Sequence, residues 1–368
     1  MNKGLRKALL IFTVTVVTTG AITGCQKNET TTNDSSAPTT EQSTTTEEST
    51  TDDSSKPEKG MGGPGGAGGG LVKQEAVDTS DITNKYLDVA YANTSESQKL
   101  DIYLPENIDE SEPVPVIVYV HGGGFMMGDK TSGCLGSVLE GLEKGYAVVS
   151  VNYRMSGEET FPAAIEDVKA AIRYVKANAS EYNIDTENFA IWGESAGGNI
   201  ASMVGTTGDD TTFDNSSLGN SDQSSAVQAV VDWFGPIEFN AMDSQFAELG
   251  ITPKMGTTSS ETSAESKYIG GDISQDEYAK IAEQANPTNY ISKNDPAFLI
   301  QHGTADTNVP VTQSLNFAEK LKSVLGEDKV TVETMEGAAH GDMGDVKAFE
   351  TEENIARVFD FLDSQLKK

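Results

Sequence analysis

The stretch Phe189-Ala190-Ile191-Trp192-Gly193-Glu194-Ser195-Ala196-Gly197-Gly198 decides the fold. Its first four residues form a short apolar run, the pattern of a strand buried on both faces. Its last residues start a helix just after Ser195. Between them lies G-x-S-x-G, a turn sharp enough to lift the serine oxygen clear of the backbone. Glycine is needed on both sides because a Cβ there would collide with the neighbouring strand and helix. In a chain with 36 glycines the motif alone is weak evidence, since chance supplies roughly 0.3 matches. The surrounding sequence has to decide.

Upstream, Pro115-Val116-Ile117-Val118-Tyr119-Val120 is another buried strand, and it runs into His121-Gly122-Gly123-Gly124-Phe125. A His followed by three glycines is expected by chance only about 0.003 times in such a chain. Bare glycine N–H groups can point at a developing oxyanion, and the N–H of Ala196 would be the second donor. The plainer alternative is an ordinary turn. Residues 146–151 give a further buried strand, while 99–104 alternate as a half-exposed one. Pro162 opens a helix in which Ile165, Val168, Ile172 and Val175 share a face. Strands follow at 226–234, 297–301 and 330–334, with helical stretches after the last two. Such alternation implies an α/β fold, a mostly parallel central sheet flanked by helices. The segment 236–290, rich in Ser, Thr and Gly, reads as an irregular insertion over the site, placed before the acid-bearing strand.

Serine is a weak nucleophile until a base takes its proton. The chain has three histidines. His121 precedes the glycines, and His302 ends a strand, where local hydrogen bonding is its expected role. His340 lies in a small-residue loop after the last strand and fits the order Ser…Asp…His. The acid that orients it is Asp306, just beyond the strand 297–301, with Asp232 as an alternative in the same chain order. Asp295 sits at the front of its strand, on the wrong edge of the sheet. The expected catalytic set is therefore Ser195, Asp306 and His340, for acyl transfer without a metal or organic cofactor.

With these residues in view, the region 114–341 resembles the α/β-hydrolase esterases with an HGGG motif, the hormone-sensitive-lipase-like and carboxylesterase group. It is most similar to a bacterial branch of bifunctional feruloyl and acetyl-xylan esterases. The matching residues include His121 to Phe125 with Gly128, Asn152-Tyr153-Arg154, Phe161-Pro162-Ala163-Ala164, Gly193 to Gly198, and Asp295-Pro296 through Asp306 to Val309-Pro310. Glu194 departs from the lipase-like relatives, which commonly carry Asp there, and points to the second branch. The resemblance implies an α/β-hydrolase fold and a serine esterase acting on a small ester or carbohydrate ester. It also implies Gly123, Gly124 and Ala196 as oxyanion donors. Two rival readings share the motifs: an amidase or small peptidase, and a catalytically silent surface-binding module.

The remaining sequence concerns place rather than chemistry. Lys3, Arg6 and Lys7 precede an uncharged apolar run from Ala8 to Ile22, the pattern of an export signal. It ends in Ile22-Thr23-Gly24-Cys25, which resembles a bacterial lipobox; the resemblance implies cleavage after residue 24 and lipid on Cys25. The alternative is an uncleaved single span. Residues 25–70 are a Thr/Ser/Glu-rich and then Gly-rich stretch, expected to be a disordered tether of about 35–40 Å. A G-x-G-x-x-G match at Gly63, Gly65 and Gly68 follows no strand and is not a nucleotide site. Residues 71–368 form the expected catalytic domain, held at the extracellular face of the membrane through the lipid alone. With Cys25 lipidated, Cys134 has no intrachain partner, and no zinc site is supported. Acidic residues outnumber basic ones by 57 to 26, a net charge of −31 that disfavours nucleic acid. The oligomeric state is not encoded in any motif.

Overall fold

The computed structural model describes residues 75–107, 111–208 and 210–367. The expected leader at 1–24, Cys25 and the expected tether at 25–70 lie outside them. Among the described residues no helix is long and apolar enough to cross a membrane.

Eight strands form one sheet: β1 Lys85–Ala90, β2 Lys99–Tyr103, β3 Val114–Val120, β4 Ala147–Val151, β5 Ile184–Glu194, β6 Ala229–Trp233, β7 Ala297–Gly303 and β8 Val330–Met335. The helices are α1 Leu135–Leu139, α2 Ala163–Ala177, α3 Ala179–Tyr182, α4 Ala196–Thr207, α5 Met242–Leu249, α6 Ala264–Ile269, α7 Asp276–Gln284, α8 Thr312–Leu325 and α9 Glu352–Leu366. The strand order is β1-β2-β4-β3-β5-β6-β7-β8. β1 and β2 pair antiparallel, as do β2 and β4, while every pair from β4 to β8 is parallel. This is the α/β-hydrolase architecture.

The apolar strands need helices on both faces, because neither face of a Val/Ile run can meet water. Val116, Val118 and Val120 of β3 pack into one core with residues of α2 and α4. Ile117 and Tyr119, pointing the opposite way, join α1 and α9 in the second core. Ile165, Val168, Ile172 and Val175 of α2 are fully buried, as their helical spacing predicts. α4 is buried along all twelve residues, so the element behind Ser195 is fixed within the domain.

Two expectations change. β2 is not half-exposed: Leu100 to Tyr103 are all buried. Asp101 is closed in by Lys130 at 2.9 Å and the Tyr103 hydroxyl at 3.2 Å, under the edge strand β1. β1 itself carries mostly exposed residues and a register shift between Tyr86 and Val89, so no apolar pattern announced it. The segment 236–290 is not irregular either, since it holds α5, α6 and α7. Ser263 caps α6 by accepting the Ser266 N–H at 2.9 Å, and Gly250 and Gly270 close α5 and α6 in left-handed conformation. These helices are short, from six to nine residues, and α7 buries Ala282 alone. About two turns leave too short a window for a period to be read.

Candidate active site

Ser195 sits between β5 and α4 with φ 53° and ψ −121°, outside the conformations ordinary residues prefer. Two close approaches force this turn. A Cβ on Gly193 would lie 2.0 Å from the Gly197 carbonyl oxygen, and one on Gly197 would lie 2.1 Å from that of Val120. The Ser195 N–H donates to the Trp233 carbonyl at 2.8 Å, tying the turn to β6. Within residues 191–200 Ser195 is the partly exposed one; its neighbours are buried.

The glycine loop lies directly against this serine. A Cβ on Gly122 would come within 3.2 Å of the Ser195 Cβ. Gly123 and Gly124 have φ of +110° and +60°. The loop is closed by the N–H groups of Met126 and Met127, both donating to the Gly123 carbonyl at 3.2 Å. Ala196 is the first residue of α4, so its N–H has no acceptor within the helix. His121 does not face the serine. Its Nδ1 donates to the Gly122 carbonyl at 2.8 Å, its ring stacks on Tyr153, and burial lowers its proton affinity.

At the ends of β7 and β8, the backbone brings acid and base together. A Cβ on Gly303 would lie 2.3 Å from the Ala338 carbonyl and 2.4 Å from that of Ala339. Only a glycine there lets the loop carrying His340 lie across the end of β7. His340 Nδ1 stands 2.7 Å from Asp306 Oδ2, and its Nε2 stands 2.8 Å from Ser195 Oγ. An ionised carboxylate only accepts, so Nδ1 carries the proton and Nε2 is free to accept from the serine hydroxyl. That is the tautomer a general base requires. Phe234 packs on the imidazole with centroids 4.7 Å apart.

Asp306 is buried and densely held. Its Oδ1 accepts the N–H groups of Asn308 at 2.7 Å and Val309 at 2.9 Å. His302 Nε2 lies 3.3 Å from Oδ2 and donates to the Val309 carbonyl at 3.0 Å, while the Ser314 hydroxyl donates to its Nδ1 at 2.7 Å. Burial alone would raise Asp306, but the His340 charge and the hydrogen bonds from His302 and His340 outweigh it. The carboxyl is held well below the usual range.

The alternatives fall elsewhere. Asp232 accepts from the Ser202 hydroxyl at 3.0 Å and the Gly235 N–H at 2.9 Å, and burial pushes it up to about 6. It buttresses the turn after β6. Asp295 accepts from the Ser292 hydroxyl at 2.7 Å, at the front edge of β7. Glu194 turns behind the serine, accepting from the Tyr119 hydroxyl at 2.9 Å and the Cys134 N–H at 3.2 Å. The sequence reading missed Gly122 and Gly303 as closure points and His302 as a second imidazole on the acid. The signal was present in Gln301-His302-Gly303, where a glycine follows the strand core.

The insertion reaches the same loop. The Ala264 Cβ would stand 3.2 Å from a Cβ on Gly124, and Tyr268 stacks on Phe125 with centroids 3.9 Å apart.

Fold and site together define an α/β-hydrolase with a serine, a histidine and an aspartate in hydrogen-bond series beside a glycine loop. The family model BD-FAE matches residues 100–321, and the chain belongs to that family. A truncated carbohydrate esterase from gut microbiota is similar, with 30% identity and a TM-score of 0.68 over 80% of this chain and 100% of that one. A bifunctional GH43-CE protein of Bacteroides eggerthii is 34% identical, with a TM-score of 0.67, over 78% of this chain and 38% of its own. The probable carboxylic ester hydrolase LipM of Mycobacterium tuberculosis is 29% identical over 67% of this chain and 54% of its own. The chain spans about half the length of the curated relatives it matches.

Proposed function

We propose that this chain is a serine carboxylic ester hydrolase acting on small or carbohydrate esters. The observation that carries the reading is the hydrogen-bonded series Asp306–His340–Ser195, at 2.7 and 2.8 Å, ending beside the glycine loop. Ester-hydrolase relatives and carbohydrate-esterase neighbours support it.

The steps follow from the groups present. Ser195 Oγ attacks the ester carbonyl carbon while His340 Nε2 takes its proton. The negative charge on the carbonyl oxygen is met by the N–H groups of Gly123, Gly124 and Ala196. Asp306 keeps the imidazole in its productive tautomer and stabilises the imidazolium. The C–O bond then breaks, the proton passes from His340 to the departing alcohol, and Ser195 holds the acyl group. Water, deprotonated by His340, attacks that acyl carbon; the bond from the carbon to Ser195 Oγ breaks, Oγ takes the proton back from His340, and the acid leaves.

The test is turnover of p-nitrophenyl acetate by wild type and Ser195→Ala, beside labelling by a fluorophosphonate. Wild-type turnover with labelling lost in the variant is expected. Silence on both assays favours a binding module, and anilide cleavage matching ester cleavage favours an amidase.

We also propose that the chain is exported and anchored at the outer face of the membrane by lipid on Cys25, with 25–70 as the tether and 71–368 as the catalytic domain. Palmitate labelling lost in Cys25→Ser, with release from the membrane fraction, is the expected result. Retention and labelling of that variant overturn the anchor.

A further inference from the structure

The Asp306 carboxyl serves two imidazoles through one oxygen. His340 Nδ1 stands 2.7 Å from Oδ2, and His302 Nε2 stands 3.3 Å from the same atom. His302 is fully buried at the end of β7. Its Nε2 also faces the Val309 carbonyl at 3.0 Å. Carboxylate and carbonyl oxygens only accept, so Nε2 carries a hydrogen shared between them. On the other side of the ring the Ser314 hydroxyl, buried on α8, meets Nδ1 at 2.7 Å. A donor at Nδ1 keeps the hydrogen on Nε2.

The orientation of the carboxylate does not depend on His302. Oδ1 already accepts the N–H groups of Asn308 at 2.7 Å and Val309 at 2.9 Å, two backbone bonds that fix the plane of the group. What the His302 N–H changes is the charge that Oδ2 offers to His340. A carboxylate oxygen accepting a second hydrogen bond is a weaker partner for the first, so it stabilises the imidazolium less. The base then sheds its proton at a lower pH. We propose that His302 is a positioning residue of the catalytic series: by keeping an N–H on Asp306 Oδ2, it limits the grip of the acid on the protonated base and extends ester hydrolysis towards lower pH. The inference rests on the ester-hydrolase reading above and deepens it.

Other charges face the two imidazoles from neighbouring elements. Asp232 on β6 acts on His302, while Glu194 at the end of β5 and Glu265 on α6 act on His340. These acids are the same in wild type and in variants of His302 or Ser314. A difference in pH profile between them therefore reports on the shared oxygen.

The test is the pH dependence of kcat/KM for p-nitrophenyl acetate in wild type, His302→Phe, His302→Gln and Ser314→Ala, with thermal melts alongside. Unprotonated His340 is the active form, so activity rises with pH through an acid-side midpoint. His302→Phe keeps a ring without the N–H and is expected to move that midpoint up by roughly 0.5–1 pH unit. The plateau above it should fall by no more than about threefold. His302→Gln can return an amide N–H to Oδ2, and its midpoint should lie close to wild type. Ser314→Ala leaves the imidazole without its Nδ1 donor and should move the midpoint up by a smaller step; it decides the question if the phenylalanine variant does not fold. An unmoved midpoint in the folded variants, with the plateau alone reduced, makes His302 a packing residue and overturns the proposal. A downward shift overturns it too, since His302 would then be holding the carboxylate against His340. Wild-type silence towards p-nitrophenyl acetate and a fluorophosphonate instead overturns the hydrolase reading, and the inference falls with it.

Discussion

The strand ends that carry Ser195, Asp306 and His340 and the insertion that carries Glu265 are built by different means. At the strand ends, position is set by backbone against backbone. Gly193, Gly197 and Gly303 each bring a carbonyl oxygen closer than 2.5 Å to where a Cβ would stand. No side chain can be accommodated, so the geometry has almost no latitude. The insertion is set by side chains instead: the Ser263 cap, the Asp243 carboxylate on two N–H groups, and the stacking of Tyr268 on Phe125. Its surface leaves Leu249 and Met255 substantially exposed. Interactions of that kind are worth about a kilocalorie each and can be exchanged singly. The serine, histidine and aspartate thus stand where substitution is forbidden, and the insertion helices where it is cheap.

Four variants test that contrast. His340→Ala should cut kcat roughly a millionfold on every ester alike, with the melting temperature little changed; a loss confined to sugar esters would erase the division. Asp306→Asn should cost about 10⁴ in kcat, because an amide at Oδ2 no longer fixes the imidazole tautomer. The same variant should alter stability in acid. The Asp306 carboxyl is depressed in the folded protein, so its contribution is present above the unfolded value near 4 and lost as pH falls through the folded one. Melts taken below pH 4 should accordingly be less steeply pH-dependent in the variant.

The insertion should respond on a smaller scale. Ser263→Ala removes the cap on α6, for about 1 kcal/mol and a drop in melting temperature of roughly 2–4 °C. Glu265→Gln acts on the pH dependence of stability. A carboxyl raised to about 7 by burial stays protonated in the folded chain after the unfolded chain has ionised, so stability falls as pH rises from about 4.5 to 7. Asp243 and His340 are the charged groups that modulate this. The variant should melt slightly higher than wild type at pH 8 and no higher at pH 4, as a pH series of calorimetric scans would reveal.

Much of the site was legible because its geometry requires glycine at fixed positions. Gly193, Gly197 and Gly123 cannot be replaced without collision, and Gly124 holds a positive φ, so these glycines stand out in the chain. His340 was readable from chain order. What escaped notice had no such mark. The edge strand β1 is mostly solvated, and α5 to α7, at six to nine residues each, are too short to show a period. Asp101 buried beside Lys130 reads on paper as the outward face of a strand. Glu265 is one acid among many in a chain of net charge −31.

In the chain alone one reads the alternation of buried strands with helices, the serine at a strand–helix turn and the histidine that follows it in compatible order. These are consequences of periodicity and of steric exclusion, and both are written locally. Asp306 rather than Asp232 is the histidine's partner because of the folded geometry, since both precede His340 in a compatible order. The same geometry decided that a second imidazole backs that acid, and that α6 reaches the glycine loop. Those outcomes depend on distances between segments far apart in the chain, fixed by packing across the whole sheet.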